Sequence, residues 1–233
     1  VIVVLTDPRR GEHLAATLAS VDSSATSELR VVLVDGASNS VTVRPGWVVV
    51  GAPKPPGRPR TENRWSTWAA FEAAVAAGED LLFFEDDVVG CPNAVRYAEE
   101  LPVPRDCAWL SLYAPWGDIS FPHGIWRRPA AQFVFCQALK VPLATCRELA
   151  GARAEMEAHA LGGSDECMAA VGGRRDWLVG YHYPGLFQHV GHASLVSADR
   201  TLMGPRSSRA WLCDVDAMRL RRQPGSALPD HFR

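Results

Sequence analysis

The chain has 233 residues, enough for one sizeable hydrophobic core, and its 47% apolar and 21% charged side chains are the balance of an ordinary folded domain, not of a disordered segment. With 24 basic and 26 acidic side chains and a formal net charge of -2, it lacks the broad basic field that a nucleic-acid partner calls for. No apolar run reaches the roughly 18 residues of a membrane span, and the cysteines at 91, 107, 136, 146, 167 and 213 form neither a Cys-x-x-Cys zinc pair nor a dense disulfide framework.

Val1–Leu5 is apolar and meets Thr6-Asp7-Pro8-Arg9-Arg10 at once, which reads as a strand and not as a signal peptide. His13–Val21 is helical in composition, with Leu14, Leu18 and Val21 on one face. Leu29–Val34 is a second strand ended by Asp35-Gly36, and Trp47–Val50 a third. Strand, helix, strand at this spacing begins a parallel sheet with crossover helices. The prolines at 53, 55, 56 and 59, mixed with Lys54, Arg58 and Arg60, predict a basic loop. Glu62–Ala77 then reads as a helix stopped by Gly78, with Trp65, Trp68, Glu72 and Val75 at helical intervals. Leu81–Phe84 is a short apolar run of the kind found in a central strand buried on both faces. Further on, Ala108–Tyr113 and Ala131–Ala138 are strand candidates, Leu143–Leu161 is helical with a break at Gly151, Ser164 is placed to cap a helix, and Trp177–His182 is a last strand. The expected fold is α/β with a central, mainly parallel sheet: a nucleotide-binding half over 1–90 and a half over 91–233 that completes the pocket, within one domain. The expected location is cytoplasmic or membrane-peripheral. The chain opens without an initiator Met, as a trimmed chain or fragment does.

The most informative segment is Glu85-Asp86-Asp87, three carboxylates between Leu81–Phe84 and Val88-Val89. Such a cluster repels itself and resists desolvation unless a cation or hydrogen-bond donors compensate it. In open α/β sheets, ligands bind beyond the carboxyl ends of the strands, where this triplet falls. A hard divalent cation bridging to phosphate oxygens would satisfy both protein and ligand. The plainer reading is a solvated acidic turn. Downstream, Gly163-Ser164-Asp165-Glu166 sets two acids at a helix start, where free amides favour negative charge without any catalytic role.

The acidic triplet resembles the metal-binding motif of glycosyltransferases with the GT-A fold, commonly written Asp-x-Asp. That resemblance implies a Rossmann-type nucleotide-binding fold, a Mn²⁺ or Mg²⁺ ion ligated by Asp87, Asp86 near the ribose or metal, and Glu85 near the donor. It further implies nucleotide contacts from Thr6, with Asp7, Arg9 and Arg10 close by, and from Asp35 after the second strand. Arg60-Thr61-Glu62-Asn63 is similar to the family's basic-and-Asn segment lining the donor, which makes Arg60 and Asn63 candidates. Asp165 resembles the general base of inverting members, with Glu166 beside it. Phe187-Gln188-His189-Val190-Gly191 is similar to a segment of N-acetylglucosaminyltransferases of the branching IV type; His189 is thereby a candidate for the metal or diphosphate, ahead of His182 and His192, and Ser194 for the phosphates. Arg200, Arg206 and Arg209 either compensate the diphosphate or form a solvated surface.

Between the two acidic regions, Trp109 and Tyr113 read as core aromatics. Trp116, Asp118, Phe121, His123 and Trp126 are candidates for acceptor and sugar contacts. The expected function is metal-dependent, inverting transfer of a sugar from a UDP-sugar, with N-acetylglucosamine suggested by the likeness around His189, to a carbohydrate or other hydroxyl acceptor. The competing readings are a nucleotidyltransferase, which has a related sheet and uses acids with metal, and a carbohydrate-binding protein on the same fold without catalysis.

Overall fold

A computed structural model describes residues 1–7, 11–35, 41–52, 59–114, 123–134, 136–158, 163–190, 211–212 and 215–222, with the backbone alone at 11–12, 35, 59–64, 156–158 and 221–222. The elements in order are β1 (Ile2–Thr6), α1 (Gly11–Asp22), β2 (Arg30–Asp35), β3 (Val48–Ala52), α2 (Pro59–Ala77), β4 (Leu81–Glu85), β5 (Val88–Gly90), α3 (Ala94–Glu100), β6 (Cys107–Ser111), β7 (Gly124–Pro129), β8 (Ala138–Val141), α4 (Leu143–Gly151), α5 (Arg153–Ala158), α6 (Ser164–Arg174), β9 (Leu178–Tyr183) and β10 (Phe187–His189). An eight-stranded sheet runs β3-β2-β1-β4-β8-β6-β9-β7, and β10 pairs with β5 in a separate two-stranded sheet. Strands β3, β2, β1 and β4 are mutually parallel, β8 is antiparallel to both β4 and β6, and β9 is parallel to β6. The sheet is therefore mixed and largely parallel, with helices on both faces.

Two faces follow from the period of two along each strand. Val3 and Leu5 of β1 join Leu33, Leu81 and Phe83 under Trp68, Phe71 and Ala74 of α2. Ile2 and Val4 turn the other way and join Val32, Val34 and Phe84 under Leu14, Leu18 and Val21 of α1. All five residues of β1 and the first four of β4 are buried, as central parallel strands covered on both sides must be. α2 is fixed to α4 by the Trp68 indole, whose Nε1 donates to the Leu149 carbonyl at 2.7 Å. Phe71 is wholly buried in this layer, so its truncation to Ala would remove about 3–5 kcal/mol.

Three local expectations are corrected. α2 begins at Pro59, three residues before Glu62, because proline at the first helical position lacks only an amide that would have no partner there. Ala131–Ala138 is not a strand: Ala130–Gln132 is a 3₁₀ turn, and the strand starts at Ala138 and continues through Lys140. A buried lysine is tolerated there because its ammonium donates to the carbonyls of Ala98, Glu99 and Leu101 at 2.9, 2.8 and 2.7 Å, closing the end of α3. Ser164 does not cap α6; Gly163 holds the cap position and Ser164 is the first helical residue. Among the described residues, no helix is long and apolar enough to cross a membrane.

Candidate functional site

β1 and β4 lie side by side and parallel, with Leu5 in register with Glu85, so their carboxyl ends deliver Thr6, Asp7 and the acidic triplet to one edge of the sheet. After Glu85 the chain turns at Asp86-Asp87 and enters β5. Asp86 and Asp87 are almost inaccessible, at 3% and 1% exposure, so each carboxylate depends on nearby groups and not on bulk water. The buried Thr6 hydroxyl donates to Asp86 Oδ2 at 2.7 Å, and the Asp7 amide reaches the same oxygen at 3.3 Å. The turn is also held from α1: Thr17 Oγ1 lies 2.7 Å from the Asp86 carbonyl oxygen and 2.8 Å from that of Val88, and accepts from the Val88 amide at 3.2 Å.

His189 arrives by strand pairing. β10 runs antiparallel to β5 with His189 opposite Val88, and the Val190 amide donates to the Asp87 carbonyl at 2.8 Å. This register sets His189 Nε2 3.1 Å from Asp87 Oδ2, with side-chain exposures of 7% and 1%. Gly90 makes the approach possible, since a Cβ there would lie 2.9 Å from both Phe187 Cε1 and Ala94 Cβ. A carboxylate oxygen only accepts, so Nε2 carries the proton in the Asp87 contact; in the neutral ring, Nδ1 is then a bare acceptor. His189 Nδ1 is buried and has no hydrogen-bond partner among the described residues. One ion shared by both side chains would be bound through Nε2, the nitrogen that faces Asp87, with the ring proton then on Nδ1. Among the described residues, however, no group of three His, Cys, Asp or Glu side chains is arranged to hold one.

Asp165 stands on the adjoining side, in the first turn of α6, half-buried, while Glu166 is exposed. Between Asp165 and the triplet sits the Cys136 thiol. It donates to Glu85 Oε1 at 3.7 Å, and its pKa is raised well above the ordinary thiol value by burial first, then by the charges of Glu85 and Asp165. Tyr181 feels Asp165 as well: burial is the main cause of its raised pKa, and the Asp165 charge adds to it. Glu85 and Asp165, far apart in sequence, therefore act on the same buried thiol.

The other sequence candidates divide clearly. Asp35 ends β2, paired with Ala52 of β3, and Arg60 and Asn63 fall in the first turns of α2, but their side chains lie outside the described residues. Ser194, His192, Arg9, Arg10, Trp116, Asp118, Phe121, Arg200, Arg206 and Arg209 also lie outside them. His182 is a core histidine: Nδ1 is 2.8 Å from the Pro184 carbonyl oxygen, Nε2 is 3.4 Å from the Tyr97 hydroxyl, and burial lowers its pKa to about 4. Trp109 and Tyr113 are fully buried, and Trp126 lies on β7 with its ring 6.0 Å from that of Tyr183. Sequence reasoning missed Thr17 and Cys136. Thr17 carried a usable signal, a polar residue on the apolar face shared by Leu14, Leu18 and Val21. Cys136 carried none.

The fold is α/β with a mixed, largely parallel central sheet flanked by helices, a GT-A-like arrangement. It is similar to the crystal structure of the galactosyltransferase LgtC in complex with donor and acceptor sugar analogs, with a TM-score of 0.52, 15% identity, and coverage of 100% of this chain and 98% of that one. An active-site mutant of LgtC matches over the same shares at a TM-score of 0.53 and 16% identity. No protein-family model matches the chain, and no curated protein matches it.

Proposed function

We propose that the protein is a metal-dependent, inverting glycosyltransferase that moves a sugar from a UDP-sugar to a hydroxyl-bearing acceptor. The observation that carries this reading is the contact of Asp87 with His189 at the carboxyl end of β4, built by two strands distant in sequence. Asp87 and His189 would hold Mn²⁺ or Mg²⁺. That ion, when bound, would supply positive charge to the diphosphate leaving group. Two protein ligands are enough for such an ion, because Mg²⁺-type sites complete their coordination with substrate phosphates and water.

The remaining roles belong to the chain itself. Asp86, fixed by Thr6, faces the ribose or the ion, and Glu85 faces the donor. Asp35, Arg60, Asn63 and Ser194 are the further nucleotide contacts, which assigns residues 1–90 mainly to the donor and 91–233 mainly to the acceptor. Asp165 takes the acceptor hydroxyl proton, with Glu166 at its side. The acceptor oxygen then bonds to the anomeric carbon from the face opposite the diphosphate, and the carbon–oxygen bond to the diphosphate breaks with its electron pair leaving on the nucleotide. The likeness of Phe187–Gly191 to branching IV-type enzymes favours N-acetylglucosamine as the donor sugar.

The test is thermal unfolding with UDP-, GDP- and other nucleotide-sugars, with and without Mn²⁺. A ligand at one hundred times its Kd adds about 2.7 kcal/mol, or about 5–10 °C for a chain of this size. The wild type should rise with a UDP-sugar only when Mn²⁺ is present, and Asp87→Ala and His189→Ala should not rise. Equal metal-dependent stabilisation of Asp87→Ala would reject the metal assignment.

A further inference from the structure

Ser164 opens α6, and its hydroxyl is met from α2. It is 1% exposed and accepts from Thr67 Oγ1 of α2 at 2.9 Å. It also hydrogen-bonds the Cys136 thiol, which in turn reaches Glu85 Oε1 at 3.7 Å. The direction of this chain follows from its last member. A carboxylate only accepts, so the thiol must donate to Glu85; the sulfur then accepts from the Ser164 hydroxyl, and the Ser164 oxygen accepts from Thr67. Three hydrogens are thereby aligned toward one carboxylate, through the buried side chains of Thr67, Ser164 and Cys136. A hydrogen bond in such surroundings is stronger than in water, and linked bonds polarise one another. Burial and the two neighbouring carboxylates hold Cys136 in the thiol form, which keeps its hydrogen available.

The residue after Ser164 is Asp165. The chain of bonds therefore runs from the far helix α2 through the first residue of α6 to the last residue of β4. The geometry points to Cys136, supported by Ser164 and Thr67, as a positioning residue that holds Glu85 at a set distance from Asp165 during sugar transfer. The inference rests on the proposed function, because it presumes that Glu85 serves the donor and Asp165 the acceptor. Cys136 is buried, and its effect is exerted through Glu85.

The test is a double-mutant cycle read by steady-state transfer from the UDP-sugar. Cys136→Ala should lower kcat about tenfold with the donor KM changed less than about threefold, and Cys136→Ser, whose hydroxyl is a stronger donor on a shorter side chain, should recover part of the lost kcat. Ser164→Ala should resemble Cys136→Ala. In a Glu85→Ala background, Cys136→Ala should alter kcat less than about twofold, because the side chain it positions is gone. An unchanged tenfold loss in that background would overturn the inference, as would a serine variant no better than alanine or a Cys136→Ala enzyme at the wild-type rate. If the wild type transfers no sugar from any nucleotide donor, the proposed function fails and this role fails with it. Wild-type turnover with one of the contrary mutant results removes the positioning role alone.

Discussion

Replacing Thr17 by valine keeps the volume of a fully buried side chain and removes one oxygen. That oxygen accepts from the Val88 amide and lies within 2.8 Å of the Asp86 and Val88 carbonyl oxygens, so its loss strips partners from the backbone on both sides of the acidic turn. Leaving a buried backbone group without a partner costs about 1–3 kcal/mol, and with one donor and one of two acceptors affected we take about 2 kcal/mol. For a chain of this length that lowers the unfolding midpoint by about 4–8 °C. Thr17→Ser should recover most of the loss, because it restores the hydroxyl and omits only a methyl group. Mn²⁺ binding, followed by electron paramagnetic resonance of the free ion, should weaken by about threefold or more in Thr17→Val, since Asp87 then sits on a looser turn. A valine variant that melts within one degree of wild type, with ordinary Mn²⁺ affinity, would refute the reasoning.

Gly90→Ala should push Phe187 away from β5, because the added Cβ would stand 2.9 Å from that ring; overpacking of this kind costs about 1–3 kcal/mol, and calorimetry should show a lowered midpoint together with weaker Mn²⁺-dependent stabilisation by UDP-sugar. His182 has a folded pKa of about 4 against an ordinary 6.5, so the unfolded chain takes up its proton first as pH falls. Its contribution is thus intact above pH 6.5 and is lost progressively down to about pH 4, amounting to about 2 kcal/mol between pH 7 and pH 5. Urea unfolding of His182→Gln should have a flatter pH dependence across that window than wild type; parallel curves would contradict the assignment.

The parts of the fold that could be read from sequence are those in which local pattern and tertiary context agree. Leu81–Phe84 is apolar without interruption because β4 is covered on both faces, and Leu14, Leu18 and Val21 show the helical stripe because α1 buries one side only. β5 and β10 have three residues each, too few for a period to emerge, and they exist because they pair with one another across the chain. That pairing is what turns His189 from one of several histidines into the neighbour of Asp87. β8 was hidden for a different reason. Lys140 breaks its apolar pattern, and the ammonium is acceptable only because the end of α3 meets it in space. The acids at 85–87 and 165 were recognisable as chemistry from their residue types, but their common boundary at Cys136 depends on a contact between Glu85 and a thiol 51 positions away.

The most direct measurement is product analysis after incubating the protein with a UDP-sugar, acceptor and Mn²⁺. The account predicts stoichiometric release of UDP and an acceptor bearing the sugar with inverted anomeric configuration, dependent on metal and lost in Asp87→Ala. Release of pyrophosphate, or sugar transfer that proceeds equally well in chelator and in Asp87→Ala, would contradict it.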